Sequence, residues 1–344
     1  MEFAPGDLAT TSSATSHPLL GGVMPANLMD LPGRERLERL SDAAAPLSGI
    51  QLVTGVRPVS ASESGAVFEL AVRQRLVDDA GRLPLGVIAT LADGALGWAV
   101  VGALPAGSSC ATVGLNLGLL RETSVGRCLR AEAQLVRLDE RSAVSTGIVT
   151  DENGRSIADC RARSVVSSRG PKDGGGAPPR AVEPMTSTTV ADITGAGVGG
   201  DLDGMAALRA VTLGERRADP VHDLLGIEVT EYAVGSATLS MAADVRVEQT
   251  MGSVQGGALA LFADRALATA VRTTLAAGDT TYLIDLQMTF ARAHAADGSP
   301  LTARAELRHR GRRLALAAVT VSDASSRVVA FGSGTATIVA EPSA

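Results

Sequence analysis

The stretch Gly256-Gly257-Ala258-Leu259-Ala260-Leu261-Phe262-Ala263-Asp264 decides the fold, because it is an apolar helix start that carries a single carboxylate. A counterpart lies 171 residues earlier, Leu85-Gly86-Val87-Ile88-Ala89-Thr90-Leu91-Ala92-Asp93. The flanking segments recur as well, since the predicted strand Thr112–Leu119 follows the first carboxylate at the same distance as Leu283–Phe290 follows the second. This period is much longer than the roughly 20 to 50 residues of solenoid repeats, so the sequence predicts a duplicated domain.

The composition is typical of two globular domains whose cores consist of small apolar residues. A chain of 344 residues, 45% of them hydrophobic and 2% aromatic, has room for two such cores. The net charge of −6 and the scarcity of aromatic residues argue against a nucleic-acid partner. The odd number of cysteines, three, favours a reducing compartment over a disulfide framework. The expected localisation is therefore cytoplasmic.

No membrane partner is expected either. Glu2 and Asp7 occur near the N-terminus, where no basic residues precede an apolar core, so the sequence does not predict a signal peptide. The two apolar stretches are interrupted by a carboxylate and flanked by predicted strands. They are therefore interpreted as buried helices rather than membrane spans.

Composition shifts predict four segments along the chain. Residues 1–33 are rich in Ser, Thr, Gly and Pro and are expected to form a mobile tail. The first domain is predicted at 34–168 and the second at 202–342. Between them, residues 169–201 contain Gly174-Gly175-Gly176-Ala177-Pro178-Pro179 and read as a flexible linker.

Each domain shows two strand patterns, one apolar helix and then further strands. The first strands are predicted at Ile50–Arg57 and Gly226–Tyr232, and the helices at Leu85–Leu104 and Gly256–Leu275. Many strands with a single long helix are typical of an α+β domain. A helix that is apolar nearly all round must be covered on most faces, which a curved antiparallel sheet would do.

The segment Gly252-Ser253-Val254-Gln255-Gly256-Gly257, followed by Asp264, resembles the hotdog-fold acyl-CoA thioesterases of the phenylacetate-pathway (PaaI-like) type. Members of that family usually show His-Gly-Gly at the helix start, and Gln255 stands at the position of the His. The resemblance covers most of 205–340 and extends more weakly over 47–167, where Pro84-Leu85-Gly86 replaces His-Gly-Gly. It implies a tandem double hotdog, in which each copy is an antiparallel curved sheet wrapped around a long central helix and the copies join as an internal pseudo-dimer.

The resemblance also implies where the active sites lie. In family members each site spans the interface, with the helix N-terminus from one subunit and the Asp from the other. The implied catalytic residues are Asp93, Gly256, Thr112 and Asp264. The implied substrate-binding residues are Gln255, Gln249, Gly257, Arg310 and Arg312, where Gln249 matches a family Asn and has Asp78 as its counterpart in the first copy.

Cross-pairing of the copies predicts two unequal sites. One should combine Gly256 and Gln255 with Asp93 and Thr112. The other should combine Leu85 and Pro84 with Asp264 and Leu283, which places leucines where a thioester and a hydroxyl are needed. We therefore predict that only the first site is catalytic.

The chemistry of these residues supports the assignment but leaves alternatives. The amide of Gly256 is expected among the unpaired donors of the first helical turn, where it could stabilise an oxyanion; alternatively, this glycine only permits close packing. Burial should raise the pKa of Asp93, unless the side chain lies on a wet face. Asp264 is followed by Arg265, but adjacent helical residues are expected to point apart. Thr112 could simply be a strand former.

Several arginines crowd one predicted hairpin turn around Gly311, namely Arg308, Arg310, Arg312 and Arg313. A run of charge is commonly a solvated turn. The alternative is that some of these guanidinium groups bind the phosphates of coenzyme A, for which Arg is well suited.

The sequence therefore predicts hydrolysis of an acyl-CoA thioester, with no metal or cofactor beyond the coenzyme A of the substrate and with a homodimer of such chains as a further expectation. The carboxylate would act as a general base or as a nucleophile. One rival is a non-catalytic acyl-CoA-binding or regulatory protein, because Gln255 cannot gain a proton as His can. A second is a hydratase, which needs a catalytic His, whereas the four histidines are predicted in the tail, near a strand start and in turns: His17, His222, His294 and His309.

Overall fold

Twelve strands form one antiparallel sheet in the computed structural model, which describes residues 28–41, 47–168 and 202–340. The strands are β1 (Arg57–Ala61), β2 (Gly65–Ala71), β3 (Ser109–Leu119), β4 (Cys128–Leu138), β5 (Ser142–Asp151), β6 (Ser156–Ser167), β7 (Glu228–Ala233), β8 (Ser236–Ala242), β9 (Thr280–Phe290), β10 (Pro300–Arg310), β11 (Leu314–Asp323) and β12 (Val328–Val339). The helices are α1 (Gly33–Leu40), α2 (Gly49–Thr54), α3 (Leu85–Val101), α4 (Gly204–Thr212), α5 (Pro220–Leu225) and α6 (Gly256–Arg272).

The strand order reads the same from both ends of the sheet. It runs β1-β2-β4-β5-β6-β3 and then β9-β12-β11-β10-β8-β7, so each half repeats the order of the other. The halves join where β3 pairs antiparallel with β9, from Gly114 opposite Thr289 to Gly118 opposite Asp285. The sheet is therefore continuous across the two halves of the chain.

Helices α3 and α6 pack directly against each other at two glycines. A Cβ atom on Gly86 would lie 2.6 Å from the Cα of Leu261, and one on Gly257 would lie 2.6 Å from the Cα of Thr90. Neither position can carry a side chain without moving the partner backbone. This close approach brings the N-terminus of each helix against the middle of the other helix.

The core lies between these helices and the sheet. Within α3, Ile88, Leu91 and Leu96 are fully buried, as the apolar pattern predicts. In the first copy the rings of Phe68 and Trp98 meet edge to face with centroids 5.0 Å apart.

The central helices are shorter than the sequence predicted. They end at Val101 and Arg272, three residues before the expected ends at Leu104 and Leu275. In both copies the chain turns after the helix, and the carbonyl oxygens of Leu104 and Leu275 accept hydrogen bonds from Gly33 and Gly204, the first residues of α1 and α4.

The predicted strand Ile50–Arg57 is wrong over most of its length, because α2 occupies Gly49–Thr54. A capping box between Ser48 and Gln51 starts this helix, and Gly55 ends it in the left-handed region with a φ of 83°. The second copy repeats the pattern: α5 precedes β7, and Gly226, which was predicted in a strand, ends α5 with a φ of 65°. In both copies, therefore, the residues at the ends of the short helix outweigh an apolar pattern that had predicted a strand.

Two predicted segments fall largely outside the described residues. The linker at 169–201 is wholly outside them, and of the predicted tail only 28–33 are described, with Leu28 buried. Among the residues that are described, no helix combines the length and apolar character needed to cross a membrane.

Candidate active site

The carboxylate of Asp93 forms a hydrogen bond between the two copies. It lies on α3 of the first copy and is 7% exposed. Its Oδ2 accepts a hydrogen bond from the backbone N–H of Gly257, at the start of α6 in the second copy, at 2.9 Å. Its Oδ1 accepts from the hydroxyl of Thr112 on β3 at 3.1 Å. Three separate elements therefore fix the position of this side chain.

The N-terminus of α6 faces this carboxylate. A Cβ atom on Gly256 would lie 3.1 Å from Oδ2 of Asp93 and 3.3 Å from Cε2 of Phe290, so a side chain here would crowd the site. The first-turn amides of a helix lack intrahelical partners and carry the positive end of its dipole. This geometry offers a backbone donor for an oxyanion immediately beside a carboxylate.

Gln255 is the N-cap residue of α6 and reaches across to the first copy. Its Nε2 donates to the carbonyl oxygen of Thr90 at 3.4 Å. Its Oε1 is buried and has no hydrogen-bond partner among the described residues. Gln249 lies near by and donates to the hydroxyl of Ser253 at 2.8 Å. Gln255 therefore presents a free acceptor that a water or a substrate donor could use.

Burial raises the pKa of Asp93, and the hydrogen bonds from Gly257 and Thr112 oppose this rise. No Arg, Lys or His forms an ion pair with Asp93 within the part of the chain that the structure describes. The nearby thiol of Cys110 is neutral, because burial and the charge of Asp93 raise its pKa to about 12. Asp93 is thus a buried carboxylate held by neutral donors.

Asp93 lines a cavity of about 300 Å³, together with Thr112, Gln249, Gln255 and Gly256. Five of the predicted site residues therefore meet in one place. Much of the remaining wall is apolar and comes from the first copy, including Leu37, Ile50, Val56, Phe68, Trp98 and Val101. A largely apolar cavity with a few convergent polar groups is typical of a small-molecule site.

Three basic residues that were not predicted as site residues also line this cavity: Arg36 on α1, and Arg292 and His294 after β9. Arg36 is 2% exposed, whereas Arg292 is exposed at the rim. His294 contacts the hydroxyl of Ser299 at 3.0 Å. Arg36 could have been found by comparing the copies, since the residue 171 positions later is Ala207.

The predicted substrate-binding residues Arg310 and Arg312 do not line this cavity. Arg310 donates to the hydroxyl of Thr274, just beyond the C-terminus of α6, at 3.2 Å, and it contacts the carbonyl oxygen of Gly311. Arg312 is exposed. The structure therefore does not bring this hairpin to the carboxylate of Asp93.

Asp264, the counterpart of Asp93, is 0% exposed and paired with arginine. Arg265 donates to its Oδ2 from Nε at 2.8 Å and from Nη2 at 2.5 Å, and it reaches Oδ2 of Asp219 at 3.2 Å. The expectation that these neighbouring side chains point apart is wrong. The long guanidinium stem folds back because both buried carboxylates attract it.

Further charges extend this second site into a buried ion network. Nη2 of Arg272 lies 2.8 Å from Asp79 and 3.8 Å from Asp219. Burial raises the pKa of Asp79 to about 6. Burial acts in the same direction on Asp219, but the charges of Arg272, His222 and Arg265 lower its pKa to about 2. Burial lowers the pKa of His222 to about 4.

The second site offers little space around its carboxylate. The amide of Gly86 faces Asp264, as that of Gly257 faces Asp93. Leu85 stands where the first site has Gly256, and it is buried. A cavity of about 160 Å³ lies near Asp79 and Arg272, but Asp264 does not line it.

Two family models match the chain, one in each half. The model described as "Acyl-CoA thioesterase C-terminal domain" matches residues 25–166. The model described as "Thioesterase superfamily" matches residues 251–330, which contain the N-terminus of α6 and Asp264. No curated protein matches the sequence.

One solved structure shows a similar fold over most of this chain, and two others match less than half of it. A protein described as a thioesterase from Novosphingobium aromaticivorans is 18% identical, with a TM-score of 0.51, over 81% of this chain and 97% of its own, which establishes likeness of fold alone. The PaaI protein from the phenylacetic acid degradation operon of E. coli is 25% identical over 40% of this chain and 96% of its own, with a TM-score of 0.36. A phenylacetic acid degradation-related protein from Ralstonia eutropha is 26% identical over 38% and 97%, with a TM-score of 0.36. Both halves of this chain are therefore related to the hotdog-fold thioesterases that the sequence resemblance indicated.

Proposed function

We propose that this chain hydrolyses an acyl-CoA thioester to the free acid and coenzyme A, at the composite site formed by Asp93 of the first copy and the N-terminus of α6 of the second. The observation that carries the proposal is the 2.9 Å hydrogen bond from the Gly257 N–H to Asp93, at the wall of the larger cavity. It brings together a carboxylate, which can act as base or nucleophile, and a helix N-terminus, which can stabilise an oxyanion.

In this mechanism the thioester carbonyl lies over Gly256, whose amide stabilises the developing oxyanion. The ionised Asp93 either takes a proton from the attacking water or itself attacks the acyl carbon, forming an anhydride that water then hydrolyses. The carbon–sulfur bond breaks, and the leaving thiolate of coenzyme A takes up a proton, which protonated Asp93 returns in the general-base route and water supplies in the nucleophilic route. The hydroxyl of Thr112 holds the carboxylate in position.

We further propose that the chain is a double hotdog, an internal pseudo-dimer that supplies both halves of each site. The pairing of β3 with β9 and the mirrored strand order support this reading. A homodimer of two such chains stays a prediction, and light scattering of the purified protein would test it.

The phosphates of coenzyme A are proposed to lie at the cavity rim near Arg292, the exposed arginine of the cavity wall. Arg292→Ala should then raise KM with little change in kcat, and the effect should shrink at high salt. The Arg310→Ala/Arg312→Ala variant is the matched comparison. If that variant raises KM and Arg292→Ala does not, the hairpin around Gly311 binds the phosphates.

The direct test is a thiol-release assay over short, long, branched and aryl acyl-CoA thioesters. Wild-type protein should release thiol from at least one class, and Asp93→Asn should release almost none without any fall in melting temperature. Equal rates for the two proteins would remove Asp93 from the mechanism.

A non-catalytic acyl-CoA-binding protein is the second candidate. It is favoured by Gln255, which stands where relatives carry His and cannot exchange a proton. Saturable acyl-CoA binding by calorimetry, without thiol release from any thioester of the panel, would establish this alternative.

A further inference from the structure

One charged side chain in the larger cavity has no role in the proposed hydrolysis. Arg36 on α1 is 2% exposed and lines the same cavity as Asp93. Its Nη1 lies 3.4 Å from the sulfur of Met29, and its Nη2 lies 3.5 Å from the carbonyl oxygen of Pro105. Its Nε is buried and has no hydrogen-bond partner among the described residues.

These contacts satisfy a guanidinium poorly. A thioether sulfur is a weak acceptor, and 3.5 Å is beyond the usual range of an N–H···O hydrogen bond. No carboxylate pairs with Arg36 within residues 28–41, 47–168 and 202–340. Cys110, the group whose charge would stabilise it, is protonated because its pKa is raised to about 12. A buried charge without a partner is strongly unfavourable, so a ligand that supplies one would bind here.

The fold itself does not need an arginine at this position. Arg36 is the fourth residue of α1, and Ala207 is the fourth residue of the corresponding helix α4. Both helices begin with a glycine whose N–H binds the chain just beyond a central helix, so their backbones are placed alike. The guanidinium therefore occurs only in the copy whose cavity contains the unpaired carboxylate of Asp93.

We propose that Arg36 binds a carboxylate at the far end of the acyl group, so that the preferred substrates are thioesters of dicarboxylic acids. This inference rests on the proposed function for its chemistry, but it concerns only which acyl group the cavity holds. The thioester would lie at Asp93 and Gly256, the methylene chain along apolar residues such as Trp98 and Val101, and the terminal carboxylate at Arg36. Arginine matches a carboxylate well, because its planar fork donates two parallel hydrogen bonds.

The test compares adipyl-CoA with hexanoyl-CoA, which have the same chain length and differ in the terminal carboxylate. Wild-type protein should show the higher kcat/KM on adipyl-CoA. Arg36→Met should lower kcat/KM on adipyl-CoA by roughly 10- to 100-fold, the worth of a charged hydrogen bond, and leave hexanoyl-CoA unchanged or improved. The methyl ester of adipyl-CoA should behave as hexanoyl-CoA does, since it carries no charge.

Arg39→Met is the matched control, because Arg39 lies on the same helix with its side chain exposed. It should leave both substrates unchanged. Hydrolysis of hexanoyl-CoA by Arg36→Met reports whether that variant is folded. If Arg36→Met does not fold, the wild-type comparison decides, and equal or better hydrolysis of hexanoyl-CoA than of adipyl-CoA overturns the proposal.

Failure of the proposed hydrolysis is distinguishable from failure of this inference. If no thioester releases thiol, calorimetric binding replaces turnover as the readout. Tighter binding of adipyl-CoA than of hexanoyl-CoA, lost in Arg36→Met and kept in Arg39→Met, would still support the role of Arg36. Equal affinities in wild-type protein would overturn it.

Discussion

The two composite sites have the same backbone arrangement, but their carboxylates have different partners. At the first, Asp93 contacts only neutral donors and borders a cavity. At the second, Asp264 is bound by Arg265 within an ion network. Positions that line the first cavity carry the network in the other copy: Gly94 corresponds to Arg265, Ser48 to Asp219, Gln51 to His222 and Val101 to Arg272.

This difference indicates that the two buried carboxylates have different roles. The second copy demonstrates that the fold can place ionisable residues at these four positions, where Arg265 pairs with the carboxylate and Asp219, His222 and Arg272 extend the network. The first copy has small, neutral or apolar residues there and leaves a cavity instead. Because such a carboxylate lowers stability, its retention favours a chemical role for Asp93 and a structural role for Asp264.

The largest expected effect separates the two carboxylates. Asp93→Asn should lower thiol release by roughly 100- to 10,000-fold, since it removes a positioned base or nucleophile. Asp264→Asn should keep most of the activity per folded molecule, because its site contains Leu85 and a network of ions. Thiol release, measured with melting curves for both variants, checks this. Loss of activity only in Asp264→Asn would reverse the assignment of the two sites.

The next effect concerns stability and is confined to the second site. Arg265→Met removes the partner of two buried carboxylates, Asp264 and Asp219, and should lower the free energy of unfolding by roughly 3 to 5 kcal/mol in urea denaturation. The double variant Arg265→Met/Asp264→Leu should recover part of this loss, because one of the orphaned charges is removed with it. Asp93→Asn should cause no comparable loss. Equal destabilisation by Arg265→Met and Asp93→Asn would contradict the division of roles.

A third experiment moves a feature of the second site into the first. Gly256→Leu reproduces Leu85 and should lower kcat/KM by at least roughly 100-fold, because a side chain here displaces the reacting groups. Gly256→Ala should have a smaller effect, since its Cβ would lie 3.1 Å from Oδ2 of Asp93. Leu85→Gly is the reciprocal control and should leave kcat/KM unchanged. Full activity of Gly256→Leu would place the thioester elsewhere.

Much of this fold was predictable from the sequence, because the spacing of apolar residues indicates both the repeat and the order of the strands. The pairing of Gly257 and Thr112 with Asp93 also matches the expected cross-pairing of the copies. The short helix α2 was missed, because its apolar residues resemble a strand and only the capping box of Ser48 and Gln51 marks it.

The ion network and the role of Arg36 could not be predicted from the sequence of one copy alone. Arg265 bends back to its own neighbour, which spacing rules for helices do not anticipate. His222 lies on a helix that was not predicted and Asp219 immediately precedes that helix, so their approach to Arg265 and Arg272 depends on tertiary packing. Comparing residues 171 positions apart would have shown which of these charges are unique to one copy.

The smallest expected effect is a shift in pH dependence, and it tests whether Asp93 acts in its ionised form. Burial raises the pKa of Asp93 above its ordinary value of 3.8, so kcat/KM should fall with decreasing pH around a midpoint above that value. The same shift means that the folded state binds the proton more tightly than the unfolded state. Stability should therefore fall as pH rises through this window, and Asp93→Asn should remove the contribution of Asp93 while that of Asp79, whose pKa is also raised, remains.

Thr112 provides a further test of the pH dependence due to Asp93, because its counterpart in the second site is Leu283, which has no hydroxyl. The hydroxyl of Thr112 lowers the pKa of Asp93, so Thr112→Val should move the acid midpoint of kcat/KM upward. Thr281→Val is the control, since the hydroxyl of Thr281 binds the carbonyl oxygen of Thr337 in the second copy. An acid midpoint that stays in place in Thr112→Val, while Asp93→Asn abolishes activity, would show that the hydroxyl does not act on the ionised carboxylate.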